Sequence, residues 1–506
     1  MKSFLRLLPL IISILILLAP SSGHGQKRSM GLTFDDEAYD NVPLQPRYGG
    51  TKYNEIPLEY SLRKYCPTPR DQGNMSSCVG WSSGYGLLTI TKAIQNKITN
   101  TEKINQSANS ALFIYNQIIL NPNDCTSGAS LTDALNFLVE EGDCLEKTFG
   151  SAVNNCDILP SMESQGEAKF YKIKDYASLF SPDDPAELKI DKIRKSLVND
   201  KPVLVGMQLT ASFFSVPEEE DTWAAGLDEN TGVAFRHAMV VVAYDEVERY
   251  FEVMNSFGDN WGDQGFVKIK YDEFVERCRY AFQIIYSNYG AAAKSDTETE
   301  SLTSLSGNFE FRQITKAKKD EYGNYIRDYF QNKIYDYKIA EVKKIQDQYI
   351  YEMTQDWKAG TRFQLAATQV PEGKHVYVFS INSENKVKSH FPKEEKADKI
   401  PPMATYIPSQ DAELIIPSLT RGLLLEKGED NLVVLFSDKT IDDYEKRLDK
   451  INNTSLPIQE KIQAGFEDIL LPTEKIVFEE DKMQFKTKQI KSKKYVVAII
   501  LKSEGL

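Results

Sequence analysis

Histidine is scarce in this sequence: four residues in 506, too few for a multi-histidine metal centre, so each can be weighed separately. Positive charge is outnumbered too. Sixty Lys plus Arg stand against 73 Asp plus Glu, a net charge of −13, which excludes a broad basic surface for a nucleic-acid backbone. Beyond the first twenty or so residues, no apolar run approaches the roughly 20 residues that a membrane-spanning helix needs. With 28 Gly and 21 Pro the chain is neither collagenous nor low in complexity, and no internal repeat recurs at a fixed period. What is present is ordinary globular material. Hydrophobic residues make up 41%, charged residues 26% and aromatics 11%, a balance and length that predict two to four domains at roughly 150 residues each.

Lys2 and Arg6 precede an apolar run from Leu7 to Ala19, and the small, polar Pro20-Ser21-Ser22-Gly23-His24-Gly25 follows it. This is the build of a secretory signal, so residues 1–25 are expected to be removed, leaving a secreted or periplasmic protein with no stable membrane insertion. Export implies an oxidising compartment where disulfides persist. The six cysteines are Cys66, Cys78, Cys125, Cys144, Cys156 and Cys278. If Cys78 is kept as a free thiol, five remain and at least one more lacks an internal partner. Cys144 and Cys156 flank a short loop and are the expected bridge.

Residues 26–53 are polar and weakly patterned and read as an N-terminal tail or strap. Helix signals then precede strand signals between 54 and 290. Ser130-Leu131-Thr132-Asp133 resembles a capping box, and Leu131, Leu135 and Leu138 recur at helical spacing before Gly142. Val203 to Leu209, Ala234 to Tyr244, Tyr250 to Asn255 and Gly265 to Lys270 read as strands of an antiparallel sheet. Helices first and strands later is an α+β order. The small, polar stretch within 291–308 is the expected linker. A β-rich unit follows over 309–506, with strands at His375 to Ile381, Asn431 to Phe436, Lys475 to Phe478 and Tyr495 to Leu501, and helices at Ile441 to Ile451 and Gln459 to Leu470.

The chemistry gathers at three places. Asp71-Gln72-Gly73-Asn74-Met75-Ser76-Ser77-Cys78 begins as loop and runs into a helical stretch from Cys78 to about Gln95. At a helix start, free N–H groups and the macrodipole favour a thiolate, which is the nucleophilic form of cysteine. Gln72 is near enough in the loop for its amide to point at an oxyanion beside the sulfur. A general acid and base is needed, and elimination leaves one candidate: His24 is in the expected signal, and His375 and His390 lie beyond the linker. His237 remains, in a strand where a lone histidine is more often a packed structural residue. Asn255, in Asn255-Ser256-Phe257-Gly258-Asp259-Asn260-Trp261-Gly262, can accept from its imidazole and hold the ring.

In this order, these residues resemble the papain-like cysteine peptidases over residues 54–290. The resemblance implies a two-lobed α+β fold, with a helical lobe carrying Cys78 and an antiparallel β lobe carrying His237 and Asn255. It makes Gln72 the oxyanion-hole glutamine, Cys78 the nucleophile, His237 its imidazole partner and Asn255 the orienting amide. The implied activity is hydrolysis of peptide bonds in a peptide or protein substrate through a thioester acyl-enzyme. No cofactor and no metal are implied, and the acidic run Glu218-Glu219-Glu220-Asp221 lacks the spaced oxygen ligands of a calcium loop. Three departures stand out. Met75 replaces a cysteine of the family's usual motif, Val79 replaces an aromatic residue, and Phe257 replaces a tryptophan, although Trp261 is kept. Residues 26–53 are also too few for the family's long inhibitory propeptide.

Those departures keep two rival readings open: a peptide-binding protein that kept the fold and lost turnover, and an acyltransferase using the same nucleophile. The C-terminal unit resembles a bacterial domain of unknown function found attached to peptidases and kinases. It has no convergent polar groups of a second active site, so an accessory role, binding a protein or surface partner, is expected of it.

Overall fold

The structure is a computed structural model. It describes residues 29–50, 55–150, 155–226, 234–286, 302–327, 331–345, 349–393, 402–488 and 490–505. The expected signal, 1–25, lies outside the described residues. No helix among the described residues is long and apolar enough to cross a membrane.

The central helix of the first lobe begins at Cys78 and continues without interruption to residue 95. Its middle turns, Trp81–Leu88, are π-helical, and every residue in them is buried. Small residues make that burial possible. A Cβ on Gly80 would lie 2.1 Å from the carbonyl oxygen of Ala111, and one on Gly84 would lie 2.6 Å from that of Ser110, so helix Ala111–Ile118 packs at backbone distance. Helix Leu131–Glu140 starts where the sequence predicts, with the Ser130 hydroxyl accepting from the Asp133 amide at 3.3 Å. Leu131, Leu135 and Leu138 are each at most 1% exposed. Truncating any one to alanine should cost about 3 kcal/mol.

The second lobe is an eight-stranded sheet. Its order is Asp175–Ser178, Cys278–Ile285, Val203–Leu209, Phe235–Asp245, Tyr250–Met254, Phe266–Lys270 and Thr222–Trp223, with Glu59–Ser61 pairing to Phe235–Asp245. All pairings are antiparallel except that of Thr222–Trp223. Strand Phe235–Asp245 touches both the 81–88 turns and helix Ala186–Val198. Its near-continuous apolar run follows from that cover.

The C-terminal part is a sandwich of two sheets. One holds Glu413–Ile416, Arg362–Thr368, Ser306–Ala317, Met483–Thr487 and Ile476–Phe478 in order; the other holds Val342–Lys344, Ile350–Met353, Val496–Gly505, Gly428–Ser437, His375–Asn382 and Val387–Phe391. Phe309, Phe311, Leu365, Val434 and Val497 fill the space between them. Phe379, Leu435 and Ile500 alternate to the other face of the second sheet and meet helices Tyr444–Asn452 and Ile458–Phe466. Strand Ser306–Ala317 begins inside the stretch read as linker. Gly307 is small because the ring of Phe436 occupies the place of its side chain, at 2.5 Å from a built Cβ, and not because the chain is loose there.

The N-terminal segment belongs to both parts. Helix Asp36–Asp40 packs on the first, with Tyr39 stacked on Tyr280 at 4.3 Å and its hydroxyl donating to the Phe180 carbonyl at 2.6 Å. Leu44 then lies between the two: its amide donates to Pro402 at 2.6 Å and its carbonyl accepts from Ala404 at 2.9 Å, while the neighbouring Gln45 amide donates to Ser178 at 2.9 Å. Finally Tyr48–Gly49 extends the first C-terminal sheet, pairing antiparallel with Glu413 and Leu414.

One expectation is corrected. The disulfide joins Cys125 to Cys156, and Cys144 is a free, buried thiol. Nearness along the chain misleads here. Cys144 is drawn into a small cluster with Phe113 and Ala168, while the loop carrying Cys125 folds back beside Cys156.

Candidate active site

Cys78 opens the central helix, and Ser77 before it offers no capping side chain; the Ser77 hydroxyl is buried without a partner among the described residues. The N–H groups of the first turn are thus left without a serine or aspartate cap. Strand Phe235–Asp245 brings His237 to the same place: the first turn of the helix contacts this strand, and the Ala238 amide, next in the chain to His237, is among the backbone N–H groups that favour the Cys78 thiolate. His237 Nε2 lies 2.7 Å from Asn255 Oδ1. Its other ring nitrogen, Nδ1, is buried and has no hydrogen-bond partner among the described residues.

Gln72 joins this group through a residue that sequence reasoning passed over. The Gln72 amide donates to the Ser256 carbonyl at 2.9 Å, and the Ser256 hydroxyl donates back to Gln72 Oε1 at 2.5 Å. With its oxygen held, Gln72 Nε2 is aimed as a donor. The Ser256 amide also donates to Asn255 Oδ1 at 2.7 Å, so one dipeptide orients both the glutamine and the histidine. The signal was in view, since Ser256 follows Asn255 directly, but its role needs the partner loop to be placed. Gln72, Cys78, His237 and Asn255 are therefore brought together, while His375 and His390 are not: they bond Thr405 and Ser380 within the C-terminal sandwich.

The aromatic substitution is accommodated. The Phe257 ring stacks on the His237 imidazole at 5.0 Å, and Trp261 stands edge-on behind Phe257 at 5.7 Å. Phe257 itself is fully buried. The loss of the cysteine at Met75 is met by another tie: the Cys125 carbonyl accepts from the Ser76 amide at 3.0 Å, and Cys125 is anchored by its bridge to Cys156.

The cleft is covered. Residues 29–33 run between the two lobes, with the Gly31 amide donating to the Cys78 sulfur at 3.3 Å and Gln72 Nε2 donating to the Ser29 carbonyl at 2.7 Å. On one side the Gly31 carbonyl accepts from Ala129 and the Thr33 amide donates to Ala129, both at 2.9 Å; on the other, the Leu32 amide donates to Arg236 at 3.4 Å. Only glycine fits at position 31, where a Cβ would sit 1.7 Å from the Ser76 carbonyl oxygen. A segment too short to be a folded propeptide domain thus still fills the cleft. Nothing in its composition announces this, because its bonds are made by backbone.

That cover changes the electrostatics expected from the helix start. Burial pushes the Cys78 thiol up to about 11, against the opposing backbone N–H groups of Gly31, Ala238 and Val79. Burial likewise lowers His237 to about 4, with the Asn255 hydrogen bond acting in the other direction. In the covered state, removal of water outweighs the helix dipole and both groups are neutral. No metal is held by the one cluster of potential ligands among the described residues, Cys125, Cys156 and Asp157, because both sulfurs are in the disulfide.

Comparison with known proteins agrees with this geometry. The family model "Papain family cysteine protease" matches residues 56–288. An uncharacterized peptidase C1-like protein of Acanthamoeba polyphaga mimivirus is 26% identical over 258 residues, 48% of this chain and 78% of that protein. A probable cysteine protease of Arabidopsis thaliana is 26% identical over 223 residues, 43% of this chain and 56% of its own length. Xylellain, a cysteine protease from Xylella fastidiosa, aligns over 52% of this chain and 97% of its own, at 22% identity and a TM-score of 0.41. Over residues 56–288 the chain is therefore similar to the papain family of cysteine proteases, and the enzyme class this indicates is cysteine-type peptidase.

Proposed function

We propose that Cys78, His237, Asn255 and Gln72 are the working groups of this peptidase and that they hydrolyse peptide bonds in peptide or protein substrates through a thioester on Cys78. The observation that carries the reading is the chain of hydrogen bonds from Gln72 through Ser256 and Asn255 to His237, which leaves His237 Nδ1 without a partner among the described residues and Gln72 Nε2 donating only to the backbone carbonyls of Ser29 and Met75. In the opened cleft, proton transfer from Cys78 to Nδ1 gives the thiolate and imidazolium. The thiolate attacks the substrate carbonyl carbon, and the oxyanion takes hydrogen bonds from Gln72 Nε2 and the Cys78 amide. The Ser29 carbonyl, 2.7 Å from Nε2, marks how an oxygen is received there. The imidazolium protonates the departing amine as the carbon–nitrogen bond breaks. Neutral His237 then deprotonates a water that attacks the thioester, and Cys78 leaves as thiolate. Asn255 Oδ1 accepts from Nε2–H throughout and keeps Nδ1 turned to the reaction.

The reading extends to the chain as a whole. Residues 54–290 form the peptidase domain and 309–506 an accessory domain, which is supported by their separate hydrophobic clusters. Export is supported by the charged start and apolar run of residues 1–25. The test of the function is peptide hydrolysis by protein whose cleft has been opened, against the same protein carrying Cys78→Ala. Loss of hydrolysis with the folded state intact supports the reading; unchanged hydrolysis overturns it.

A further inference from the structure

The N-terminal segment is held at two ends. At the inner end, Ser29 to Thr33 sit on Gln72, Cys78, Ala129 and Arg236. At the outer end the contacts belong to the C-terminal domain. Leu44 bonds Pro402 and Ala404 through its backbone, and Tyr48–Gly49 is a strand of the C-terminal sheet. Tyr48 is 2% exposed within the sandwich core, and its hydroxyl donates to the Tyr406 carbonyl at 2.6 Å. Gly50 follows at φ +110°, where a Cβ would lie 1.9 Å from the Asp411 carbonyl oxygen. The chain between the ends is short and stiffened by helix Asp36–Asp40, Pro43 and Pro46. The peptidase and the sandwich also meet directly beside Leu44: Ala177 and Ile285 pack with Ala404 and Tyr406, and Lys174 Nζ donates to Asp438 at 2.6 Å.

We propose that the C-terminal domain is the clamp of an intramolecular latch: it grips residues 44–50 as an added strand and thereby keeps residues 29–33 seated over Cys78. This gives the domain a ligand, an extended segment of this same chain presenting a tyrosine to the sandwich core and backbone to the edge of strand Glu413–Ile416. Backbone pairing supplies the hold and the buried Tyr48 supplies the register, as in other additions of a strand to an open sheet edge. Loosening the outer end lets the segment open as one unit and exposes the sulfur. The inference rests on the reading of Cys78 as the nucleophile.

The test compares wild type with Gly31→Val, which expels the inner end, and with Gly50→Val and Tyr48→Ala, which weaken the outer end without touching the cleft. Two readouts are taken on each full-length protein: the rate of Cys78 alkylation by iodoacetamide, located by peptide mass, and hydrolysis of a fluorogenic peptide library. The clamp predicts alkylation at least tenfold faster than wild type in all three variants, with hydrolysis appearing alongside. Faster alkylation in Gly31→Val alone, with the outer variants folded and unchanged, overturns the clamp. Faster alkylation in all three with no hydrolysis in any leaves the clamp standing and overturns the peptidase reading. If an outer variant does not fold, amide exchange in wild type decides: Gly31 and Thr33 must exchange in step with Leu44, and exchange far faster at the inner end overturns the clamp.

Discussion

Ser256 holds Gln72 by a 2.5 Å hydrogen bond from its hydroxyl to Oε1 and takes the Gln72 amide on its own carbonyl. With its oxygen fixed, the glutamine can present only Nε2 to the sulfur side of the cleft. In protein opened by Gly31→Val, Gln72→Ala should lower kcat about a hundred-fold or more, the usual cost of one oxyanion donor. Ser256→Ala, which leaves the donor present but free to turn, should cost roughly ten-fold, in kcat rather than KM. Steady-state kinetics on a fluorogenic peptide checks both.

Phe257 covers the face of His237, whose titration is lowered to about 4 chiefly by burial. Phe257→Ala admits water, so the imidazolium is better solvated and the histidine titrates closer to its ordinary value. Followed by NMR in protein carrying Cys78→Ala, the His237 titration should move to higher pH than in the Phe257 form. An unmoved titration contradicts the shielding role.

Burial raises the Cys78 thiol to about 11 while residues 29–33 are in place. The raised value favours the neutral thiol, so the thiolate fraction of the covered protein falls tenfold for each unit of pH below that, to about one part in ten thousand at pH 7. Alkylation of wild type should therefore climb steadily with pH up to the thiol value. In Gly31→Val the desolvation is relieved and the profile should shift to lower pH.

Most of the candidate site could be proposed from the sequence because its signals are local. Gln72 and Cys78 share one loop, Asn255 follows from its own turn, and elimination among four histidines isolates His237. The strands from Val203 to Lys270 were legible from their apolar runs and turns, and the helix at Leu131 from its cap and spacing. What was not legible depends on chain meeting chain. The Cys125 partner is set by a fold-back loop, Ser256 acts through a residue far away in sequence, and residues 29–33 act through backbone, which leaves no side-chain pattern to read. The start of strand Ser306–Ala317 was hidden for the same reason: a glycine packed under Phe436 has the composition of a linker.

The Cys125–Cys156 bridge closes a loop with a sequence separation of 31 residues beside the Cys78 loop. By chain entropy, Cys156→Ser should lower stability by about 3.7 kcal/mol, read as a lower urea midpoint. Cys144→Ser should leave the bridge intact in a non-reduced peptide map. A map joining Cys144 to Cys156 contradicts the fold of this region.

The most direct measurement traps the acyl group. Gly31→Val protein is mixed with an activated ester of a blocked peptide, quenched in acid within the first turnover, digested and mapped by mass. The account predicts the acyl group on the peptide containing Cys78, and none there in the Cys78→Ala form. An acyl group on another residue, or turnover that persists undiminished without Cys78, contradicts it.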